Sequence, residues 1–181
     1  MRLFAISGSL RAHSSNGELL RALARLAAPE THVEIFDGLA ALPHFNPDLD
    51  QEGMSLPEAV QELRRKIADA DGLVISSPEY AHGVPGSLKN ALDWLVSGPE
   101  MVYKPIALLN PSPRSVYAQA SIAETLRTMS TSLVDGACIA LPIAGRGLDA
   151  DGILANAELC AELEGVLAAM RAATSVKEQA V

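Results

Sequence analysis

The chain has 181 residues, 49% hydrophobic but only 4% aromatic, enough for one domain whose buried core is filled by alanine and leucine. This composition excludes a disordered chain, and the formal net charge of −8 argues against nucleic-acid and anionic-membrane partners. No apolar run approaches the roughly 18 residues of a membrane span, and the opening segment reads as a strand rather than a signal peptide.

In chain order, Leu3–Ser7 is an apolar strand, followed by the loop Gly8–Asn16 and a helix over Gly17–Ala28 with the stripe Leu19, Leu20, Leu23, Leu26 and Ala27. Val33–Phe36 is more amphipathic and reads as an edge strand. The irregular stretch Asp37–Met54, carrying Pro43 and Pro47, is long enough to be functional or an interface element. Ser55-Leu56-Pro57-Glu58 reads as a capping box that starts a second helix with the stripe Val60, Leu63, Ile67 and Ala70. Gly72–Ser77 is a third strand. The loop Pro78–Gly86 leads into a helix bearing Leu88, Leu92 and Leu95, with Trp94 as packing and Lys89 and Asp93 spaced to pair. Ile106–Asn110 is a fourth strand, with the loop Pro111–Ser115 and a helix over Val116–Leu133 after it. Cys138–Pro142 is a fifth strand, leading into Ala144–Gly147. A last helix starts near Asp151, its apolar face formed by Ile153, Leu154, Ala157, Cys160, Leu163, Leu167 and Met170. Thr174–Val181 lacks such a face, so residues 1–173 form the domain and 174–181 a flexible tail.

Cys138 and Cys160 lie in apolar stretches and read as buried small hydrophobes. No disulfide framework is implied, which suits the cytoplasm. Short, non-alternating apolar strands separated by helices describe a parallel sheet covered on both faces, a doubly wound α/β domain.

In such sheets ligands bind beyond the carboxyl ends of the strands. There, Gly8-Ser9-Leu10-Arg11-Ala12-His13-Ser14-Ser15-Asn16 joins strand to helix. Loop N–H groups and the helix N-terminus converge and favour an anion, and the serines, Asn16 and Arg11 add donors, so a phosphate monoester is the natural ligand. Ser14, Ser15 and Asn16 are equally N-cap candidates for the helix, a reading that needs no ligand. The P-loop and dinucleotide fingerprints are missing, and neither cysteine has the Arg spacing of a Cys-based phosphatase. His13, His32, His44 and His82 show no metal-ligand spacing. The loop Pro78–Gly86 is rich in turns and suits a flat heterocycle, with His82 more naturally a surface or packing residue than a proton donor.

Gly8-Ser9-Leu10-Arg11, then Ser14 and Asn16, resembles the phosphate loop of the NAD(P)H-dependent FMN reductase family. Pro78-Glu79-Tyr80, Val84-Pro85-Gly86 and Leu88-Lys89-Asn90-Ala91-Leu92-Asp93-Trp94 resemble its flavin-ring segment. The resemblance runs over roughly Met1–Gly147 and implies a flavodoxin-like five-stranded parallel sheet of order 2-1-3-4-5. It implies FMN as cofactor, with Ser9, Arg11, Ser14, Ser15 and Asn16 on its phosphate. Pro78, Glu79, Tyr80, Ala81, His82 and Gly83 would border the ring, largely through main-chain groups, and Ser112 its pyrimidine side. NADPH or NADH would donate a hydride that passes through FMN to a quinone, free flavin, azo compound or metal oxyanion. No catalytic side chain and no metal are expected. A homodimer or homotetramer is implied, with Asp37–Met54 a candidate contact. The chain departs from many relatives at Ala81, where they carry Asn, and at Ser112-Pro113-Arg114-Ser115, where they are Gly-rich. An electron-transfer protein of flavodoxin type, without steady turnover, is the alternative reading, and a nucleotide- or sugar-phosphate-binding domain a further one.

Overall fold

A computed structural model of the chain describes residues 1–178. Strands β1 (Arg2–Ser7), β2 (His32–Phe36), β3 (Gly72–Ser76), β4 (Pro105–Asn110) and β5 (Ser132–Ala140) form one parallel sheet of order β2-β1-β3-β4-β5. Helices α1 (Ser15–Ala27), α2 (Glu58–Ala68), α3 (Gly86–Asp93), α4 (Val116–Thr128), α5 (Ala150–Leu154) and α6 (Ala157–Glu178) cover both faces. Strand side chains alternate between two cores. Phe4, Ile6, Leu73, Ile75, Ile106 and Leu108 meet α2, α3 and α4 on one face. Leu3, Ala5, Val74, Ala107 and Leu109 meet α1, α5 and α6 on the other. β2 is an edge strand, as its amphipathic pattern requires.

Several element boundaries differ from the sequence reading. The capping box does not form: α2 starts at Glu58 behind Pro57, and Ser55 Oγ accepts from Gln61 Nε2 instead. Proline at position 57 pushes Leu56 out of the helical region, so no helix can begin before it. The fourth helix stops at Thr128 rather than Leu133, because Ser130 turns left-handed (φ 57°) and the Thr131 N–H returns to Leu126 O. The chain then enters β5 six residues before Cys138, the residue at which the sequence pattern starts that strand. Between Leu133, opposite Ile106, and Cys138, opposite Leu108, the register shifts around Gly136 at φ 78°.

The final helix breaks after Leu154. Asn156 Oδ1 accepts from the Leu159 N–H and caps a fresh start. The break resets the helical phase, so Leu159, Leu163, Val166, Leu167 and Met170 face the core while Ala157 is exposed and Cys160 half-buried. Cys138 is exposed, not buried, on the bulged strand β5. α6 continues through Thr174 to Glu178, into the segment expected as a tail, and residues 179–181 lie outside the described residues.

Candidate functional site

The loops that follow β1, β3, β4 and β5 enclose one cavity of about 680 Å³ at the carboxyl edge of the sheet. The first loop is held close to the sheet. The Gly8 N–H donates to Ser76 O at 2.8 Å, which extends the β1–β3 pairing one residue further. A Cβ at position 8 would stand 2.8 Å from Ser77 Oγ and 3.0 Å from Leu88 Cδ2, so only glycine allows this approach. Beyond it, hydroxyls organise the turn. Ser7 Oγ accepts from the Ser9 N–H (3.3 Å), and Ser9 Oγ accepts from the Arg11 N–H (3.3 Å).

Ser14 is the N-cap of α1, its Oγ accepting from the Gly17 N–H at 3.1 Å and its carbonyl from the Glu18 N–H at 2.9 Å. The N–H groups of Ser15 and Asn16 precede the first intrahelical bond and stay available at the positive end of the helix. Ser9, Arg11, Ser14, Ser15 and Asn16 all line the cavity. Arg11 makes no side-chain hydrogen bond or ion pair with the described residues, so its guanidinium is free for an anion.

The second loop divides. Pro78, Glu79 and Tyr80 line the cavity, whereas Ala81, His82 and Gly83 lie outside its wall. Tyr80 and Gly83 pair as an isolated antiparallel bridge (N···O 3.1 and 2.9 Å), closing a tight turn with Ala81 at φ 49° and His82 at φ 58°. That turn carries the His82 ring away onto Tyr117, with centroids 4.3 Å apart and planes at 15°. Glu79 reaches to α4 instead, its Oε2 accepting from the Ala118 N–H at 2.9 Å.

In the third loop Ser112 lines the cavity, beside Pro111 and Ser115. The loop is shaped by buried Asn110, whose Oδ1 accepts from the Ser112 N–H (3.0 Å) and whose Nδ2 donates to Ser115 O (3.1 Å).

The sequence reading gave little weight to the loop after β5, yet Ala144, Gly145, Gly147, Leu148 and Asp149 form a whole wall. The signal was present in the two glycines, both at positive φ (80° and 65°), and in Asp149 followed by Gly152, an N-cap pair at 2.8 Å. Glu18 was also missed. Its carboxylate accepts from Arg21 (Nη2 2.6 Å) and from the Ala150 N–H (3.1 Å), and the Arg21 bond holds it below the usual carboxylate range. No cluster of His, Cys, Asp and Glu among the described residues could hold a metal ion.

The cavity can therefore take an elongated ligand, with an anion at the Arg11 end and a flatter body against Pro78, Tyr80 and Ser112. Known proteins resemble the chain in sequence and fold. A family model described as NADPH-dependent FMN reductase matches residues 1–143. An NAD(P)H-dependent FMN reductase of Pseudomonas aeruginosa is 31% identical over 159 residues, 85% of this chain and 84% of that one. A quinone reductase of Escherichia coli is 37% identical over 114 residues, 62% of this chain but only 60% of the relative's length. In structure, a flavoenzyme NAD(P)H:(acceptor) oxidoreductase of Paracoccus denitrificans superimposes with a TM-score of 0.71 at 25% identity, covering 94% of this chain and 97% of that one. With that match spanning most of its length, on a sheet of the expected order, the chain belongs to the NADPH-dependent FMN reductase family.

Proposed function

We propose that this chain is an FMN-dependent NAD(P)H oxidoreductase that reduces a small-molecule acceptor of the quinone or azo class. The observation that carries this reading is the single cavity in which the free Arg11 guanidinium and the open N–H groups of α1 face one end while Pro78, Tyr80 and Ser112 line the other. The residues fit FMN: glycine at position 8 lets the loop lie against Ser77 and Leu88, and the donor set it carries at Ser9–Asn16 suits a phosphate monoester. Quinone reduction and FMN reduction are the named activities of the relatives in Escherichia coli and Pseudomonas aeruginosa.

When bound, FMN supplies the hydride chemistry between nicotinamide and acceptor. In this reading Ser9, Arg11, Ser14, Ser15 and Asn16 hold its phosphate, and Pro78, Glu79, Tyr80 and Ser112 orient the ring. Glu79 contributes through its main chain, since its carboxylate caps α4. Ala81, His82 and Gly83 shape the rim rather than the wall. Hydride transfer requires no side-chain acid or base. The carboxylates at the cavity agree with that, because Glu18, Glu79 and Asp149 are each bound to backbone N–H groups at helix starts.

The test is the absorption spectrum of purified protein, followed by anaerobic titration with NADH and NADPH and steady-state turnover with a quinone. A flavin band that bleaches on titration, with sustained turnover, is expected. Protein that neither carries nor binds FMN overturns the reading, and bleaching without turnover reassigns the chain as an electron carrier.

The assembly we propose is a homodimer or homotetramer, which light scattering would refute by finding a monomer. Asp37–Met54 is a weaker contact candidate than its length suggests, because it folds onto the chain's own α3. Both cysteines are free and no described helix is long and apolar enough to cross a membrane, and we place the protein in the cytoplasm.

A further inference from the structure

Ser76, the last residue of β3, is fully buried and touches both ends of the first loop. Its carbonyl accepts from the Gly8 N–H at 2.8 Å. Its hydroxyl donates to Asn16 Oδ1 at 2.9 Å. Asn16 is itself only 5% exposed and lines the cavity, and its Nδ2 has no acceptor among the described residues. That N–H2 is not sealed from solvent, so it opens to the cavity the residue lines and can donate to an acceptor there.

The two ends of an Asn amide are nearly the same size and opposite in hydrogen-bonding sense. With N–H2 toward the cavity it donates to an anion. Turned by half a rotation it presents a carbonyl oxygen that repels one. A serine hydroxyl can serve either end. An anion in the cavity takes the N–H2 end and leaves Oδ1 for the Ser76 O–H, so hydroxyl, amide and anion form a chain of hydrogen bonds that strengthen one another.

We propose that Ser76 is a positioning residue for anion recognition, acting through Asn16: its O–H anchors Oδ1 and holds the amide in place, so that Nδ2 meets the phosphate of the ligand. This rests on the FMN reading above. The sequence reading placed Asn16 on the phosphate and gave Ser76 no role, since nothing in the strand Gly72–Ser77 distinguishes its serines from packing residues.

The test measures affinity for FMN and for riboflavin, which lacks the phosphate, by flavin fluorescence. Wild type, Ser76→Ala, Asn16→Ala and the double variant are compared, with thermal melts alongside. Ser76→Ala is expected to weaken FMN about three- to tenfold, the size of one net hydrogen bond, and to leave riboflavin unchanged. In the Asn16→Ala background the same substitution is expected to have no effect on FMN, because the relay is already broken. Equal loss for FMN and riboflavin, or a Ser76→Ala effect that persists without Asn16, overturns the proposal and leaves Ser76 as packing. FMN binding by wild type and Ser76→Ala alike overturns it while the FMN reading stands. Failure of wild type to bind FMN removes both. If Ser76→Ala does not fold, Ser76→Cys, similar in shape but a weaker donor, is judged by the same comparisons and is expected to fall between wild type and Asn16→Ala.

Discussion

Glu18, Glu79 and Asp149 stand around a cavity read as an anion site, in a protein of net charge −8. Each carboxylate faces backbone N–H groups at the start of a helix: Glu18 at Ala150, Glu79 at Ala118, Asp149 at Gly152. Helix N-termini stabilise such charge locally, which offsets its repulsion of a ligand. Among the described residues lining the cavity, Arg11 is the Lys or Arg side chain left to answer the anion. Arg11→Ala is expected to weaken FMN by at least about tenfold, the scale of a charged hydrogen bond, with a difference from wild type that narrows as salt rises. Fluorescence titration at low and high salt checks this; unchanged affinity would remove Arg11 from the site. Glu18 makes a second prediction. Its carboxyl is lowered mainly by the Arg21 hydrogen bond, so its stabilisation is complete above the unfolded value, about 4.3, and is lost as pH falls through the lower folded value. Unfolding free energy below about pH 4.3 should therefore decline more steeply in wild type than in Glu18→Gln. Parallel pH profiles in denaturant melts would contradict it. Arg11 and Ser14 were legible in sequence because loop and helix start are adjacent there. Glu18 was not, because the N–H it caps lies 132 positions away.

Among the elements, the turn after Tyr80 is the most strained. Ala81 and His82 both occupy the left-handed region, where asparagine and glycine are at ease and alanine is not. Ala81→Asn should therefore raise the unfolding free energy by about 0.5–1 kcal/mol, read as a higher denaturant midpoint with unchanged slope. A lower midpoint would mean that the turn is held by contacts other than backbone preference. The compensating contact is the stack of His82 on Tyr117, worth about 0.5–1.5 kcal/mol for an aromatic pair. Elements marked by glycine, proline or a side-chain cap were readable within a residue or two, as at α1 and α3. Those ended by other means were not. α4 stops on a left-handed serine, the last helix is divided by one asparagine, and β5 starts in a segment that has the composition of a turn.

For the whole molecule, the long segment Asp37–Met54, with only two short 3-10 turns at Gly38–Ala41 and Pro47–Leu49, shows how a connection without strand or α-helix is fastened. Asn90 accepts from the Phe45 N–H (2.7 Å) and donates to Pro43 O (2.9 Å), while Trp94 Nε1 donates to the same carbonyl (2.8 Å) and its ring meets Phe45 edge-on. Asn90→Ala leaves the Phe45 N–H without its acceptor and should cost about 1–3 kcal/mol, with faster limited proteolysis inside residues 37–54. Unchanged cleavage would show that Trp94 alone suffices. The sequence by itself determined the doubly wound sheet and the loop–helix junction at Gly8–Asn16, because apolar period, glycine and capping residues act over short spans. Only the tertiary structure decided that the loop after β5 closes the cavity, that Ala81–Gly83 turn out of it, and that Ser76 holds Asn16. Those outcomes depend on which distant groups meet when the sheet packs, and hydrogen bonds between residues 16 and 76 or 18 and 150 leave no periodicity in the chain.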